Sequence, residues 1–281
     1  FYDSQQNSML NLTGLPSKAK FANGQLVLTE NRGNQTGGAF YKEKLALGTD
    51  KSFSTFFTFV LSPEGSIPAD GLVFVLNNTT NAIGEAGGGI GYQGIQNSIG
   101  IEFDTYRNMD RNDPNSNHIG LDVNGSLTSR NVKTLDSITL SDGREKYAWI
   151  DYSGASQTLT VSNSNDRNAG ESLIVNNINL SEILNSPDVY AGFTAGTGGY
   201  REKHAITSFY LDSQYEPIDT GGGDNYIPAP SKVTLTANPA TDIYGTTTSQ
   251  ITARVTNVDN TPARNVNVTF SSNFNSNTET V

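Results

Sequence analysis

Cysteine is absent from the 281 residues. With no thiol available, disulfide staples and thiolate metal centres are both excluded, and any bound ion must be held by oxygen and nitrogen donors. That favours calcium or manganese over structural zinc. Long apolar runs are missing too. No stretch approaches the roughly 20 residues of a membrane-spanning helix, which argues against membrane insertion by this segment. Cations are scarce: 18 Lys and Arg stand against 28 Asp and Glu, a formal net charge of -10. A surface of that sign repels phosphate backbones and anionic lipid, so nucleic acid is excluded as a partner. An initiator Met is also lacking, since the first residue is Phe1. The chain is read as a processed or excised piece of a longer protein.

What is present points to β-structure. The chain has 28 Gly, abundant Ser, Thr and Asn, and aromatics spread throughout, the composition of an all-β globular protein long enough for two domains. Short alternating runs recur, separated by Gly, Asn, Asp and Ser turns. Examples are Gln25-Leu-Val-Leu-Thr29, Ser52-Phe-Ser-Thr-Phe-Phe-Thr-Phe-Val60, Gly71-Leu-Val-Phe-Val-Leu76 and Gln157-Thr-Leu-Thr-Val-Ser162. In the second of these, Phe53, Phe57 and Phe59 share one side while Phe56 faces the other, so the strand lies between two layers. With helical pattern confined to Leu180-Ser-Glu-Ile-Leu184, the expected architecture is a β-sandwich. Trp149 is expected to be core rather than a binding surface, and His204 to be a structural strand residue.

Residues 217–230 combine a glycine run with prolines and read as an interdomain linker. They divide a first domain, 1–216, from a second, 231–281. In the second, Lys232-Val-Thr-Leu-Thr-Ala237, Ser249-Gln-Ile-Thr-Ala-Arg-Val-Thr256 and Asn265-Val-Asn-Val-Thr-Phe270 alternate as strands. An immunoglobulin-like sandwich takes about 100 residues, so this is a partial one.

The chemistry concentrates between Ser98 and Asn124. Ile99, Ile101 and Phe103 point one way along a strand, leaving Glu102 and Asp104 side by side on the other face. Two carboxylates so placed repel unless a cation lies between them. A second strand puts Ile119, Leu121 and Val123 on its apolar side and His118, Gly120 and Asp122 on the other. Paired as a hairpin, the strands bring His118 to Glu102 and Asp104. The intervening loop adds Asn108 and Asp113, with Pro114 stiffening the chain beside it. Such a set divides between two divalent ions, because calcium takes oxygen donors and a manganese-like ion accepts one imidazole. Asp104 and Asp113 are the candidates to bridge them.

Glu102-Phe-Asp104-Thr-Tyr106-x-Asn108, Asn112-Asp113-Pro114 and His118-Ile-Gly-Leu-Asp-Val-Asn124 together resemble the metal-binding signature of legume lectins. The strands opening and closing the first domain resemble that family in order. The resemblance implies a concanavalin-like jelly-roll sandwich that binds sugars and is not an enzyme. It implies a transition-metal ion, manganese or a second calcium, on Glu102, Asp104, Asp113 and His118. Calcium is implied on Asp104, Asn108, Asp113 and the Tyr106 carbonyl. For the sugar it implies Asp70, after a cis Ala69-Asp70 peptide, as acceptor of two hydroxyls. Asn108 is the amide donor, Tyr106 the stacking ring and Gly89 the backbone donor. The segment Gly196-Thr-Gly-Gly-Tyr-Arg-Glu-Lys203 is the specificity loop, reaching ligand through Gly199 or Tyr200.

The main rival is a glycoside hydrolase on a related sandwich, whose Glu-x-Asp-x-x-Glu motif begins at Glu102 but meets Arg107 where the second Glu belongs. The second domain resembles the bacterial immunoglobulin-like repeats of invasin and intimin type proteins. Together the two parts imply a bacterial cell-surface adhesin, extracellular, whose partners are glycans on host or environmental surfaces. A plant-type soluble lectin is the alternative.

Overall fold

The structure is a computed structural model. It describes residues 9–47, 51–65, 67–79, 82–168 and 170–218, and the backbone of 230–238, 250–257, 269–270 and 279–280. The chain divides into two compact units, Phe1–Ile218 and Asp219–Val281.

The first unit is a sandwich of two antiparallel sheets, with strands numbered along the chain. The eight-stranded sheet runs in the order β1 (Leu10–Leu15), β4 (Gln35–Tyr41), β14 (Asp188–Thr197), β7 (Gly71–Asn77), β8 (Ser98–Asp104), β9 (His118–Val123) and β10 (Asn131–Thr134). The short β5 (Leu45–Ala46) pairs with β14 off this path. The seven-stranded sheet runs β13 (Glu171–Val175), β12 (Thr158–Ser164), β11 (Lys146–Ser153), β6 (Phe53–Ser62), β15 (Lys203–Asp212), β3 (Gln25–Thr29) and β2 (Lys20–Ala22).

Side-chain parity explains which faces meet. Phe53, Phe57, Phe59 and Leu61 of β6 enter the core between the sheets, together with Leu72, Phe74 and Leu76 of β7 and Ile99, Ile101 and Phe103 of β8. Phe57 is the hub: its ring lies 4.9 Å from Phe193 and 5.7 Å from Phe103, both edge-on. Each such fully buried side chain contributes about 1.5–3 kcal/mol of transfer free energy. The opposite parity of β7 is apolar as well. Val73 and Val75 pack with Phe40, Ile90, Tyr92, Ile95 and Leu127 in a second cluster, so residues 82–97 cover part of the outer face.

The register places the chemistry at one end of this sheet. Gly196 pairs with Gly71, Gly71 with Asp104, and Asp104 with His118, a row across four neighbouring strands. The loops that leave these residues therefore emerge side by side. Two residues further in, Glu102 faces Gly120 across the β8–β9 ladder.

The helical pattern at 180–184 forms α1 (Leu180–Leu184), capped by the Asn179 side chain accepting from the Ser181 N–H. Trp149 is buried, as its size and apolarity suggest, but lies outside the inter-sheet core. Its neighbours Ala148 and Ile150 point inward, and Trp149 packs on Phe56 at 5.2 Å and Tyr147 at 6.5 Å on the other face of β11. In the second unit, β16 (Pro230–Asn238) pairs antiparallel with β17 (Gln250–Asn257), and β18 (Thr269–Phe270) with β19 (Glu279–Thr280). Residues 219–229 of the expected 217–230 linker, and residues 265–268 of the expected third strand, lie outside the described residues.

Candidate functional site

Strand pairing brings Glu102, Asp104 and His118 together. One ligand atom from each lies within 4.8 Å of the others, and all three residues are buried. His118 Nδ1 is 3.0 Å from the Asn115 carbonyl. A carbonyl can only accept, so Nδ1 carries a proton and Nε2 is the ring nitrogen left to face the acids. That Nε2 lies 3.4 Å from Glu102 Oε1 and has no hydrogen-bond partner. The absence of a side chain at Gly120 makes room for this arrangement: a Cβ there would collide with the Glu102 carboxylate and the Ser129 hydroxyl.

Carboxylates crowd around this point. Asp104 Oδ1 accepts from the Tyr106 N–H at 2.8 Å, and Asp113 Oδ2 accepts from the Asn108 N–H. Asp122, on the parity shared with His118, joins them. Ser129 Oγ bonds Glu102 Oε1 and lies 3.0 Å from Asp122 Oδ1. Burial pushes the Asp104 carboxyl well above the usual range, and the charges of Glu102 and Asp113 add to it. Burial followed by Glu102 does the same to Asp122, and burial also raises Asp113. Buried acids at this density demand protons or cations.

Beside the acids is a second group of polar atoms. The Ala69-Asp70 peptide is cis, the Asp70 N–H donates to the Gly196 carbonyl and the Asp70 carbonyl accepts from the Thr105 N–H, each at 3.1 Å. Asp70 is thus fixed by its backbone while its Oδ2 is buried without a partner. Burial raises its pKa to about 6, against the opposing influence of His204, the Gly198 backbone N–H and Arg111. Asn108 Oδ1 is likewise buried and unpartnered. The Tyr106 and Tyr200 rings face each other at 5.5 Å with 33° between their planes. Tyr200 is 47% exposed, and nothing lies within 4 Å of where a Cβ on Gly199 would stand.

The glycine turn departs from expectation at one residue. Gly87–Gly89 forms a single 3-10 turn in which the Gly89 N–H donates to the Ala86 carbonyl at 3.1 Å. A donor already used in closing a turn is a poor donor for a ligand. Gly88 is the residue against the site: a Cβ there would stand 2.7 Å from Asn108 Nδ2 and 3.0 Å from Arg111 Nη1. Arg111 holds the turn through the Gly88 carbonyl and, at 2.8 Å, Gln93 Oε1.

Alternation within β8 and β9 foretells Glu102, Asp104, His118 and Asp122. Ser129, Arg111 and Glu202 carry no comparable signal, since each reaches the site from outside those two strands. His204, on β15, is buried with Nδ1 at 2.6 Å from Thr29 Oγ1 and Nε2 at 3.3 Å from Glu202 Oε1. Arg107 stands where a glucanase motif needs Glu, and its Nε donates to the Asp113 carbonyl at 3.1 Å.

Comparison with known proteins accords with this geometry. The profile of the Legume lectin domain matches residues 1–224. A lectin of Leucomphalos mildbraedii is 34% identical over 206 residues, covering 67% of this chain and 83% of that protein. The probable L-type lectin-domain containing receptor kinase S.7 of Arabidopsis thaliana is 33% identical over 236 residues, covering 74% of this chain. The match spans about a third of that kinase, 34% of its length. Among solved structures, the metal-free form of lectin I-B4 from Griffonia simplicifolia superposes with a TM-score of 0.65 at 26% identity, covering 75% of this chain and 95% of that one. Legume lectins bind carbohydrate, hold calcium and manganese, and are not enzymes. The sandwich, its acid and histidine cluster and these matches together place the chain in the legume lectin domain family.

Proposed function

We propose that the first unit binds glycans in a calcium-dependent manner through the loops at this end of the eight-stranded sheet. The observation that carries the reading is a set of buried side-chain atoms without partners. Asp70 Oδ2, Asn108 Oδ1 and His118 Nε2 are all of this kind, and they belong to the strand ends and loops that the Gly196, Gly71, Asp104, His118 row sets side by side. Buried polar atoms are normally hydrogen-bonded, so unmet ones at a single place mark missing ligands. Glu102, Asp104, Asp113 and His118 would hold a manganese or second calcium ion. Asp104, Asn108, Asp113 and the Tyr106 carbonyl would hold calcium. Bound cations supply the charge that the crowded acids need and fix the 104–118 loop.

Asp70 then accepts from two sugar hydroxyls, and charged acceptors form bonds roughly twice as strong as neutral ones. With its oxygen on calcium, Asn108 offers its amide hydrogens to the sugar, so one side chain couples the two occupancies. The Gly88 N–H takes the backbone-donor part first assigned to Gly89. Tyr106 stacks on the apolar sugar face, with Gly199 and Tyr200 at the rim. A glycan array read with calcium and again after chelation tests this. Calcium-dependent signals support it, and binding retained by verified metal-free protein overturns it.

For the whole protein we infer an extracellular, cell-surface adhesin in which the lectin unit is joined to an immunoglobulin-like repeat and recognises glycans on host or environmental surfaces. The antiparallel pairing of β16 with β17 supports the repeat. The plant origin of the relatives favours a second reading, a plant-type lectin. Surface labelling of cells expressing the parent protein separates the two.

A further inference from the structure

The segment from Gly196 to Lys203 is anchored at both ends, and the far anchor is a buried charge. At the near end the Gly196 carbonyl accepts from Asp70 N–H and the Gly198 carbonyl from Asn34 N–H, each at 3.1 Å. At the far end Glu202 is fully buried. Its Oε1 accepts from Thr105 Oγ1, its Oε2 accepts from Ser141 Oγ, and His204 Nε2 stands 3.3 Å from Oε1. Beyond Ser141 the same loop is held by Lys146 Nζ on Asp142 Oδ1 at 2.7 Å and by the Gly143 N–H on the Leu61 carbonyl at 3.0 Å. One carboxylate therefore joins three separate loops.

A buried carboxylate is a poor source of stability, because desolvation offsets most of what its partners return. What it supplies is geometry, since both oxygens have directional partners. Thr105 lies between Asp104 and Tyr106, and Glu202 lies two residues after Tyr200. The Thr105–Glu202 bond thus closes a short circuit through Tyr106, Thr105, Glu202, Arg201 and Tyr200. The two ends of that circuit are the rings that face each other at 5.5 Å.

We propose that Glu202 is a positioning residue for carbohydrate binding: through Thr105 it ties the specificity loop to the ion-binding loop and fixes Tyr106 and Tyr200 as one stacking platform. The proposal rests on the glycan-binding reading above. It sets apart two parts of the site. Asp70, held by backbone bonds that do not involve the Thr105 hydroxyl, and Asn108 grip the hydroxyls of one sugar whose apolar face Tyr106 meets, whereas the ring pair extends that surface to whatever apolar group is attached to the sugar.

The test uses the full chain at saturating calcium, with paired methyl and para-nitrophenyl glycosides of galactose, N-acetylgalactosamine, glucose and mannose. Thr105→Val removes the hydroxyl at nearly constant volume, and Thr105→Ser keeps it. Loss of one directed hydrogen bond is expected to weaken para-nitrophenyl glycosides about fivefold and methyl glycosides less than about twofold. Thr105→Ser should restore the difference. Glu202→Gln, which still accepts from Thr105, should behave like Thr105→Ser. Equal weakening of both series, or no change in either, overturns the proposal. Hydrogen exchange supplies a second readout that needs no sugar. In Thr105→Val the amides of 105–108 and 200–203 should exchange faster together, and an increase in only one segment, or none, overturns the tether. Should the wild type bind no glycoside, the glycan-binding reading fails, and exchange alone decides whether the tether exists.

Discussion

His118 and Glu102 approach to 3.4 Å across the β8–β9 ladder, while the imidazole proton is turned away to the Asn115 carbonyl. An imidazole nitrogen and a carboxylate, both buried and facing one point, have the arrangement that the proposed metal site needs. Removing the proposed ion would leave carboxylates to repel one another. Chelation should therefore lower the melting temperature and glycan affinity together, since binding confined to the folded state stabilises it. Calorimetry and glycan binding on the same chelated sample check this, and a melting temperature unmoved by verified metal loss would count against it.

Asp70→Asn should abolish glycan binding, with metal content and melting temperature close to wild type. The substitution replaces one of two acceptor oxygens by a donor in a place where the sugar also donates. Undiminished binding by that variant would move the sugar site elsewhere.

Gly88→Ala should weaken glycan binding by about tenfold while leaving the fold intact. Its added methyl would stand 2.7 Å from the Asn108 amide, pushing aside the group proposed to bridge calcium and sugar. Gly89→Ala would meet the Glu85 side chain instead. A greater loss in Gly89→Ala than in Gly88→Ala, measured by titration calorimetry, would restore Gly89 to the binding surface.

Stability should depend on pH through Asp151, which lies on β11 in the other sheet from the proposed ion ligands. Burial pushes its carboxyl to about 6, partly offset by a hydrogen bond from Ser54, against roughly 3.9 in the unfolded chain. The folded state thus favours the protonated form. The cost of ionising it is fully present above pH 6, shrinks as pH falls from 6 to 4 and is gone below. Asp151→Asn should gain about 1–2 kcal/mol at pH 7.5, after allowance for solvent screening, and nothing at pH 4. Urea denaturation at the two pH values measures the difference.

Phe57→Ala should cost about 3–5 kcal/mol, because it empties the centre of a cluster that links both sheets. Its ring lies 4.9 Å from Phe193. A denaturation midpoint within error of wild type would show that the core collapses around the gap.

Much of the site was legible because strand periodicity is rigid. Once Ile99, Ile101 and Phe103 face inward, Glu102 and Asp104 can only face outward, and an antiparallel partner sets His118 opposite Asp104. Loop atoms obey no such rule. The sequence places Gly89 near the sugar by resemblance, but whether its N–H points to solvent or back to Ala86 depends on the local turn. Glu202 was hidden for a different reason: its partners Thr105 and Ser141 are 97 and 61 residues away along the chain. Trp149 shows the limit of reading burial from residue type, because an aromatic can be covered on either face of a sheet.

The row Gly196, Gly71, Asp104, His118 has a consequence for how such a module changes its preferences. Adjacent strands are held about 4.8 Å apart by their backbone ladders, so the roots of the neighbouring loops keep their spacing whatever the loops contain. Insertions or exchanges among Gly199, Tyr200 and Arg201, short of the buried Glu202, can remodel the rim without moving Asp70 or the proposed ion ligands. One unchanging scaffold can in this way be re-addressed to new saccharides by editing a single surface turn.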